Sequence, residues 1–241
     1  RRIRCNSLST PADEIGGMNS ALDEANGEYF ILLGEDGILA PNALLEVVGA
    51  INDKPGAMLL YSDEDKLDGE GNRFAPHFKP DWNPDLLLSQ NYLSQLAVFK
   101  NELMVSLGRL RGDLDDVENY GLLLGCIARL QDTEIVHIPK ILYHQYENEK
   151  QATINQIVAG FTTEVGIRLL NHYFEQKGGG VTVEPGLLPK SFRVRWPLPL
   201  PSPRVSLIIP TKNNFKVLKQ CIRSILNKTD YDNYEILVLD N

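Results

Sequence analysis

Two adjacent carboxylates, Glu35 and Asp36, stand in Gly34-Glu35-Asp36-Gly37, just after the short apolar run 29–33. Such a run is the signature of a strand buried on both faces of a parallel sheet. The glycine-flanked turn then lies at the strand's C-terminal end, the edge where open α/β sheets bind ligands. Carboxylate oxygens there can hold a hard cation against a diphosphate. The plainer reading of the pair is a solvated tight turn. A second acidic stretch, Asp63-Glu64-Asp65-Lys66, follows apolar residues 57–62 and reads as another strand end, a solvated turn with Lys66 as local counter-charge. His77, Lys79, Asp81 and Trp82 cluster in an irregular segment rich in proline and aromatics. Asp115, Asp116 and Glu118 open a helix, where acids suit the N-cap and the helix dipole.

The elements that must position these residues follow from periodicity. Residues 1–5 alternate enough for a short strand. Residues 18–25 have helical apolar spacing, and Asn26-Gly27 stops them. Pro41-Asn42 opens a helix over 43–51. A turn at 68–72 implies a hairpin-like excursion before His77. Residues 97–99 read as a strand, 100–107 as a short helix, 117–130 as a helix and 135–138 as a strand that continues through 145. A long helix over 156–176 ends at Gly178-Gly179-Gly180, and two strands follow at 181–184 and 192–196. The stretch WPLPLPSP is an extended linker. Residues 205–210, 215–226 and 234–240 then form a β-α-β unit.

At 241 residues the chain has ample length for a core. A net charge of −8 argues against a nucleic-acid partner, whose phosphates call for a basic face. Three scattered cysteines without C-x-x-C spacing indicate a reducing compartment and neither a thiolate metal site nor a disulfide framework. No apolar run approaches the ~18–20 residues that span a bilayer. No G-x-G-x-x-G follows a strand, which disfavours a dinucleotide oxidoreductase. The chain opens on Arg1-Arg2 and stops directly after a strand, and both ends read as cuts within a longer chain.

Taken in order, GEYFILLGEDGILAPNAL, YSDEDK, HFKPDWNPDLLLSQNYL and IVHIPKILYHQ resemble the later part of a family 2 glycosyltransferase with the GT-A fold. PRVSLIIPTKNN, CIRSIL and YDNYEILVLDN resemble the beginning of another such domain. The resemblance covers nearly the whole chain, in an order similar to large bacterial tandem glycosyltransferases of surface polysaccharides, including rhamnosyltransferase-like proteins. It implies an α/β fold: a GT-A-like (Rossmann-like), mostly parallel sheet with flanking helices, incomplete or permuted. Residues 1–150 would be the C-terminal part of one domain, and 151–203 a connecting helix, two short strands and the linker. Residues 204–241 would be the opening β-α-β unit of a second domain. A lone unit of that kind has apolar faces and open edges, so it is expected to dock on the incomplete sheet in the same chain or in a second copy.

The implied activity is inverting transfer of a sugar from a nucleotide-sugar donor to a growing, free or lipid-linked bacterial surface glycan of O-antigen type. Its implied location is the cytoplasm, or peripherally at the inner membrane. By resemblance Mn²⁺ or Mg²⁺ would be held by Asp36, Glu35 and His144. Asp63, Asp65, Thr211, Lys212, Asn213 and Asp240 would face the donor or its nucleotide. Trp82 would stack on a sugar ring while Asp81 and Lys79 fix hydroxyls, or else plug the space beneath the proline-rich loop. Glu118 and Asn119 fall where inverting members keep a general base. Two positions depart from the family pattern. Gly34 replaces the first acid of a D-x-D-type turn, and Asn119 is an amide that cannot act as base. Neighbouring Glu118 is turned about 100° away on a helix. These departures support a second reading, a degenerate module that binds glycan or nucleotide or scaffolds an active neighbour. His137 and His172 read as structural.

Overall fold

The computed structural model describes residues 3–5, 14–93, 95–108, 119–146 and 149–240, and side chains within these except 14–15 and 149–162. The chain divides into two units, Arg1–Arg195 and Trp196–Asn241. In the first, α1 (Glu14–Glu24), β1 (Tyr29–Ile31), β2 (Gly37–Leu39) and α2 (Ala43–Asp53) precede β3 (Leu59–Leu67) and β4 (Arg73–His77). Then come α3 (Pro84–Ser89), β5 (Ala97–Lys100), α4 (Asn101–Leu107), α5 (Tyr120–Ile127), β6 (Ile135–Tyr146) and α6 (Glu149–Gln176). A hairpin of β7 (Thr182–Pro185) and β8 (Phe192–Arg195) closes the unit.

One six-stranded sheet carries the first unit, in the order β1-β5-β3-β6-β2 with β4 also paired to β3. β3 is its axis. The apolar half, Leu59 to Tyr61, pairs antiparallel with β5, and the acidic half pairs antiparallel with β4. Along its whole length β3 runs parallel to β6. Because side chains alternate between faces, Leu59 and Tyr61 enter a core with Leu87, Leu123 and Leu170 of α3, α5 and α6. Leu60 enters a second core with Ala43 and Val47 of α2 and with Val98 and Val136. Each fully buried side chain of this kind contributes about 1.5–3 kcal/mol.

The α/β architecture is as expected, with four corrections. The sheet is mixed rather than mostly parallel: among the described residues only β3 and β6 run parallel within it, and the short β3–β4 connection allows only an antiparallel pair there. β1 is half-buried and antiparallel to β5, not a central strand buried on both faces. The acidic stretch 63–66 is not a turn but the second half of β3, which continues to Leu67 because β4 and β6 pair with it on both edges. Residues 3–5 show no regular structure.

In the second unit, β9 (Val205–Thr211), α7 (Phe215–Lys228) and β10 (Tyr234–Asp240) form the expected β-α-β unit. β9 and β10 pair in parallel along their full length, in a two-stranded sheet of their own. No residue of these three elements is buried.

Candidate functional site

The chemistry-bearing side chains of the first unit gather on the acidic half of β3. Asp63 and Asp65 are each 4% exposed. Burying carboxylates costs several kcal/mol unless donors replace water, and the flanking strands supply them. Asp63 Oδ1 accepts from the Lys79 backbone N–H at 2.9 Å and lies 2.9 Å from His137 Nε2. Asp65 Oδ2 accepts from Arg73 Nε at 2.6 Å, and Asp65 Oδ1 pairs with His144 Nδ1, its direct neighbour in register on β6. The flanking strands thus bring Arg73, His137 and His144 to these acids.

His137, read from sequence as merely structural, lies at the centre. Its ring stacks on Tyr61 at 4.9 Å, and its Nδ1 lies 3.1 Å from Asp81 Oδ1, whose side chain is 97% exposed. A ring bridging two carboxylates donates to both only when it carries both protons. Thus Asp63, His137 and Asp81 form a chain from the buried strand to solvent. Period-2 alternation, which places His137 on the same face as Ile135, was the one sequence signal for it.

Lys79 departs from its expected role as a sugar-contacting residue. Its side chain is fully buried, and its ammonium donates to Glu64 Oε2 at 2.9 Å and to the Leu93 carbonyl at 2.8 Å. Burial lowers its pKa, and the Glu64 charge opposes that shift. It ties β3 to the loop before β5 and presents no ammonium to the surface. Trp82 is half-buried against the first core, and its indole donates to Asp132 Oδ1 at 2.7 Å, the plug arrangement.

The turn carrying Glu35 and Asp36 is closed by the Gly37 N–H donating to the Gly34 carbonyl at 3.0 Å. Asp36 Oδ2 accepts from Gln145 Nε2 at 3.0 Å, and the Asp36 carbonyl accepts from the Tyr146 N–H. Gln145 and His144 are consecutive on β6 and so face opposite ways. Asp36, Glu35 and His144 are consequently not brought together as one ligand set, His144 being engaged by Asp65. Among the described residues no three His, Cys, Asp or Glu side chains are grouped to hold a metal ion. Asp36 with Glu35 still suits a cation that takes one or two protein carboxylates and completes its shell with phosphate oxygens and water.

Beneath this turn lies Tyr143, which the sequence did not single out. It is 1% exposed, and its hydroxyl has no hydrogen-bond partner among the described residues. Burial, with the charges of Asp36 and Glu64, pushes its pKa up to about 12. Gly37 lets the ring in: a Cβ there would meet Tyr143 Cε2 and its hydroxyl at 2.8 Å.

Of the positions offered for a general base, Glu118 lies outside the described residues, as do Asp115 and Asp116. Asn119 precedes α5 with φ +56°, a left-handed conformation that asparagine tolerates, and makes no side-chain cap bond. In the second unit, Thr211 and Asp240 are opposed in register at the C-terminal ends of β9 and β10, and Lys212 and Asn213 continue from Thr211 into α7. All four thus share one sheet edge.

Residues 206–241 match the model of the family described as "Glycosyl transferase family 2". The chain is 41% identical over 224 residues to "Uncharacterized protein y4gI" of Sinorhizobium fredii (strain NBRC 101917 / NGR234), covering 92% of this chain and 24% of that protein. It is 34% identical over 242 residues to "O-antigen biosynthesis protein RfbC" of Myxococcus xanthus, covering 100% of this chain and 18% of that protein. Among solved structures, S. aureus TarS 1-349 superposes with a TM-score of 0.46 at 15% identity, covering 70% of this chain and 53% of that one. The segment 206–241 is thus similar to the family 2 glycosyltransferases. More particularly, the chain corresponds to about a quarter or less of the length of two longer bacterial proteins, one of them named for O-antigen biosynthesis.

Proposed function

We propose that the chain is part of a glycosyltransferase that moves a sugar, with inversion, from a nucleotide-sugar donor to a growing surface glycan. The observation that carries this is the shared edge of β9 and β10. Carboxyl ends of parallel strands leading into a helix are where open α/β sheets bind nucleotides. Here that edge presents hydroxyl, ammonium, amide and carboxylate together, within the segment that matches the family model. The 34% identity to an O-antigen biosynthesis protein supports a surface-glycan acceptor. Asp36, with Glu35, would hold Mg²⁺ or Mn²⁺, which when bound offsets the charge of a diphosphate leaving group. Docking of the β-α-β unit on an incomplete sheet, in this chain or in a second copy, belongs to the same proposal. No helix among the described residues is long and apolar enough to cross a membrane.

A second reading, a non-catalytic module, is favoured by Asn119 and Gly34. An amide takes no proton from an acceptor, and glycine supplies no ligand. Thermal denaturation with UDP, dTDP and GDP, each with and without Mn²⁺, separates the two. A nucleotide at ~100 times its Kd raises stability by about 2.7 kcal/mol. A metal-dependent shift that vanishes in Asp36→Ala supports the donor site, whereas no shift with any pair overturns it. Activity that emerges only in the Gly34→Asp, Asn119→Asp double variant would establish the degenerate reading. A Cβ at Gly34 would lie 2.8 Å from Asp36 Oδ1, a side-chain oxygen that can shift to admit it.

A further inference from the structure

Two side chains on one face of β6 reach the acidic turn, and only one of them has a partner there. Tyr143 and Gln145 alternate with His144 on the strand and so share a face. In register they stand opposite Leu39 and Gly37 of β2. Gln145 Nε2 donates to Asp36 Oδ2 at 3.0 Å, whereas Asp36 Oδ1 accepts no hydrogen bond among the described residues. The Tyr143 hydroxyl is, among the described residues, the only buried side-chain nitrogen or oxygen without a hydrogen bond. Such a group costs the fold free energy and calls for an explanation. An acceptor without a donor and a donor without an acceptor thus meet at one tight turn.

The turn leaves room for this hydroxyl. A Cβ at Gly37 would lie 2.8 Å from it and 3.1 Å from the Gly34 carbonyl, so the bare backbone of the turn rests directly on the phenol. The other carboxylate beside the ring is already engaged. Glu64, its register neighbour on β3, accepts from the Lys79 ammonium at 2.9 Å. Burial, with the charges of Asp36 and Glu64, raises the phenol to about 12, so at neutral pH it keeps its proton and remains a donor.

Carboxylates that ligate a metal are themselves held by hydrogen bonds, which orient them and tune their affinity. A carboxylate has about four lone-pair sites. Asp36 can therefore take one donor on each oxygen and still offer both oxygens to a cation. Held at Oδ2 alone, the carboxylate can still turn; a second donor at Oδ1 fixes it. We propose that Tyr143 is a positioning residue for cation binding at this turn, its hydroxyl donating to Asp36 Oδ1 when Mg²⁺ or Mn²⁺ is bound, a role that rests on the reading of Asp36 as a cation ligand. Without the cation the hydroxyl stays unpartnered, and the stability this costs is recovered when the turn is loaded.

Mn²⁺ uptake, followed by loss of the free-ion EPR signal, tests this in the parent, Asp36→Ala and Tyr143→Phe, each with and without UDP. Tyr143→Phe should bind Mn²⁺ about 10- to 100-fold more weakly. Its Tm should equal or exceed that of the parent, because only an unpartnered hydroxyl is lost. Adding Mg²⁺ should also give the parent a tyrosine difference absorbance that Tyr143→Phe lacks, since a new bond to a carboxylate perturbs the phenol. Unchanged affinity in Tyr143→Phe, weaker affinity together with a lower Tm, or no difference absorbance overturns the role of Tyr143 and leaves the Asp36 site standing. No uptake by the parent, or uptake that survives Asp36→Ala, overturns the cation reading and the role of Tyr143 with it. The two failures are thereby told apart.

Discussion

β3 and β9 are both strands in which an apolar run leads to polar groups, yet they end in opposite circumstances. β3 has partners on both edges and a core on each face. Its carboxylates are consequently inside, and every one has a donor from a flanking element. β9 pairs only with β10 among the described residues, and Ile208 stays 62% exposed. Asp240 ends its strand exposed and Thr211 half-buried. The comparison shows that the same local sequence grammar yields a paired charge network where layers surround it, and an exposed strand edge where they do not.

The sharpest way to break this contrast is at Lys79. Lys79→Ala leaves Glu64 without its buried counter-charge and should cost about 3–5 kcal/mol, seen as a lowered urea midpoint, whereas Lys212→Ala should change stability by no more than about 0.5 kcal/mol. Truncation of apolar residues should show the same asymmetry. Leu170→Ala in the first core is expected to cost about 2–5 kcal/mol, and Leu226→Ala on exposed α7 only a few tenths by the same measurement. At the acidic turn, Gly37→Ala drives a methyl against Tyr143 and the Gly34 carbonyl, 3.1 Å away. Overpacking of that kind costs about 1–3 kcal/mol, and a Tm equal to that of the parent would refute the close approach.

The smallest effect has the opposite sign. Tyr143→Phe removes a buried hydroxyl without a partner among the described residues and should stabilise the fold by about 1 kcal/mol. The same site predicts a pH dependence. Because the folded Tyr143 pKa of about 12 lies above its unfolded value near 10, its contribution is fully present below pH ~10 and lost as pH rises towards 12. The parent should therefore lose stability across that interval more steeply than Tyr143→Phe does. Identical profiles would remove the hydroxyl from consideration.

Much of the fold was legible. The hairpin at 68–72, β5 with α4, the long helix closed by three glycines and the β-α-β unit all follow from apolar period and turn residues, which are local properties. The site was less legible. Glu35 and Asp36 do stand on a turn, and Thr211, Lys212, Asn213 and Asp240 do meet at one edge, since both placements depend on strand ends alone. Asp63 and Asp65 were misplaced because a run of acids reads as solvated unless donors arrive from elsewhere. Those donors, Arg73, His137 and His144, lie 8 to 79 residues away in sequence.

By itself, then, the sequence determined which segments are strands and helices, which faces are apolar, and the resemblance to family 2 glycosyltransferases. Periodicity and turn chemistry act over a few residues and need no partner. Only the tertiary structure decided which charges are buried, that Lys79 is a clamp, and that the Tyr143 hydroxyl has no partner among the described residues. Each of these depends on what packs across a sheet or beside it. Desolvation is set by all the neighbours of a group in space, and the chain order names only two of them.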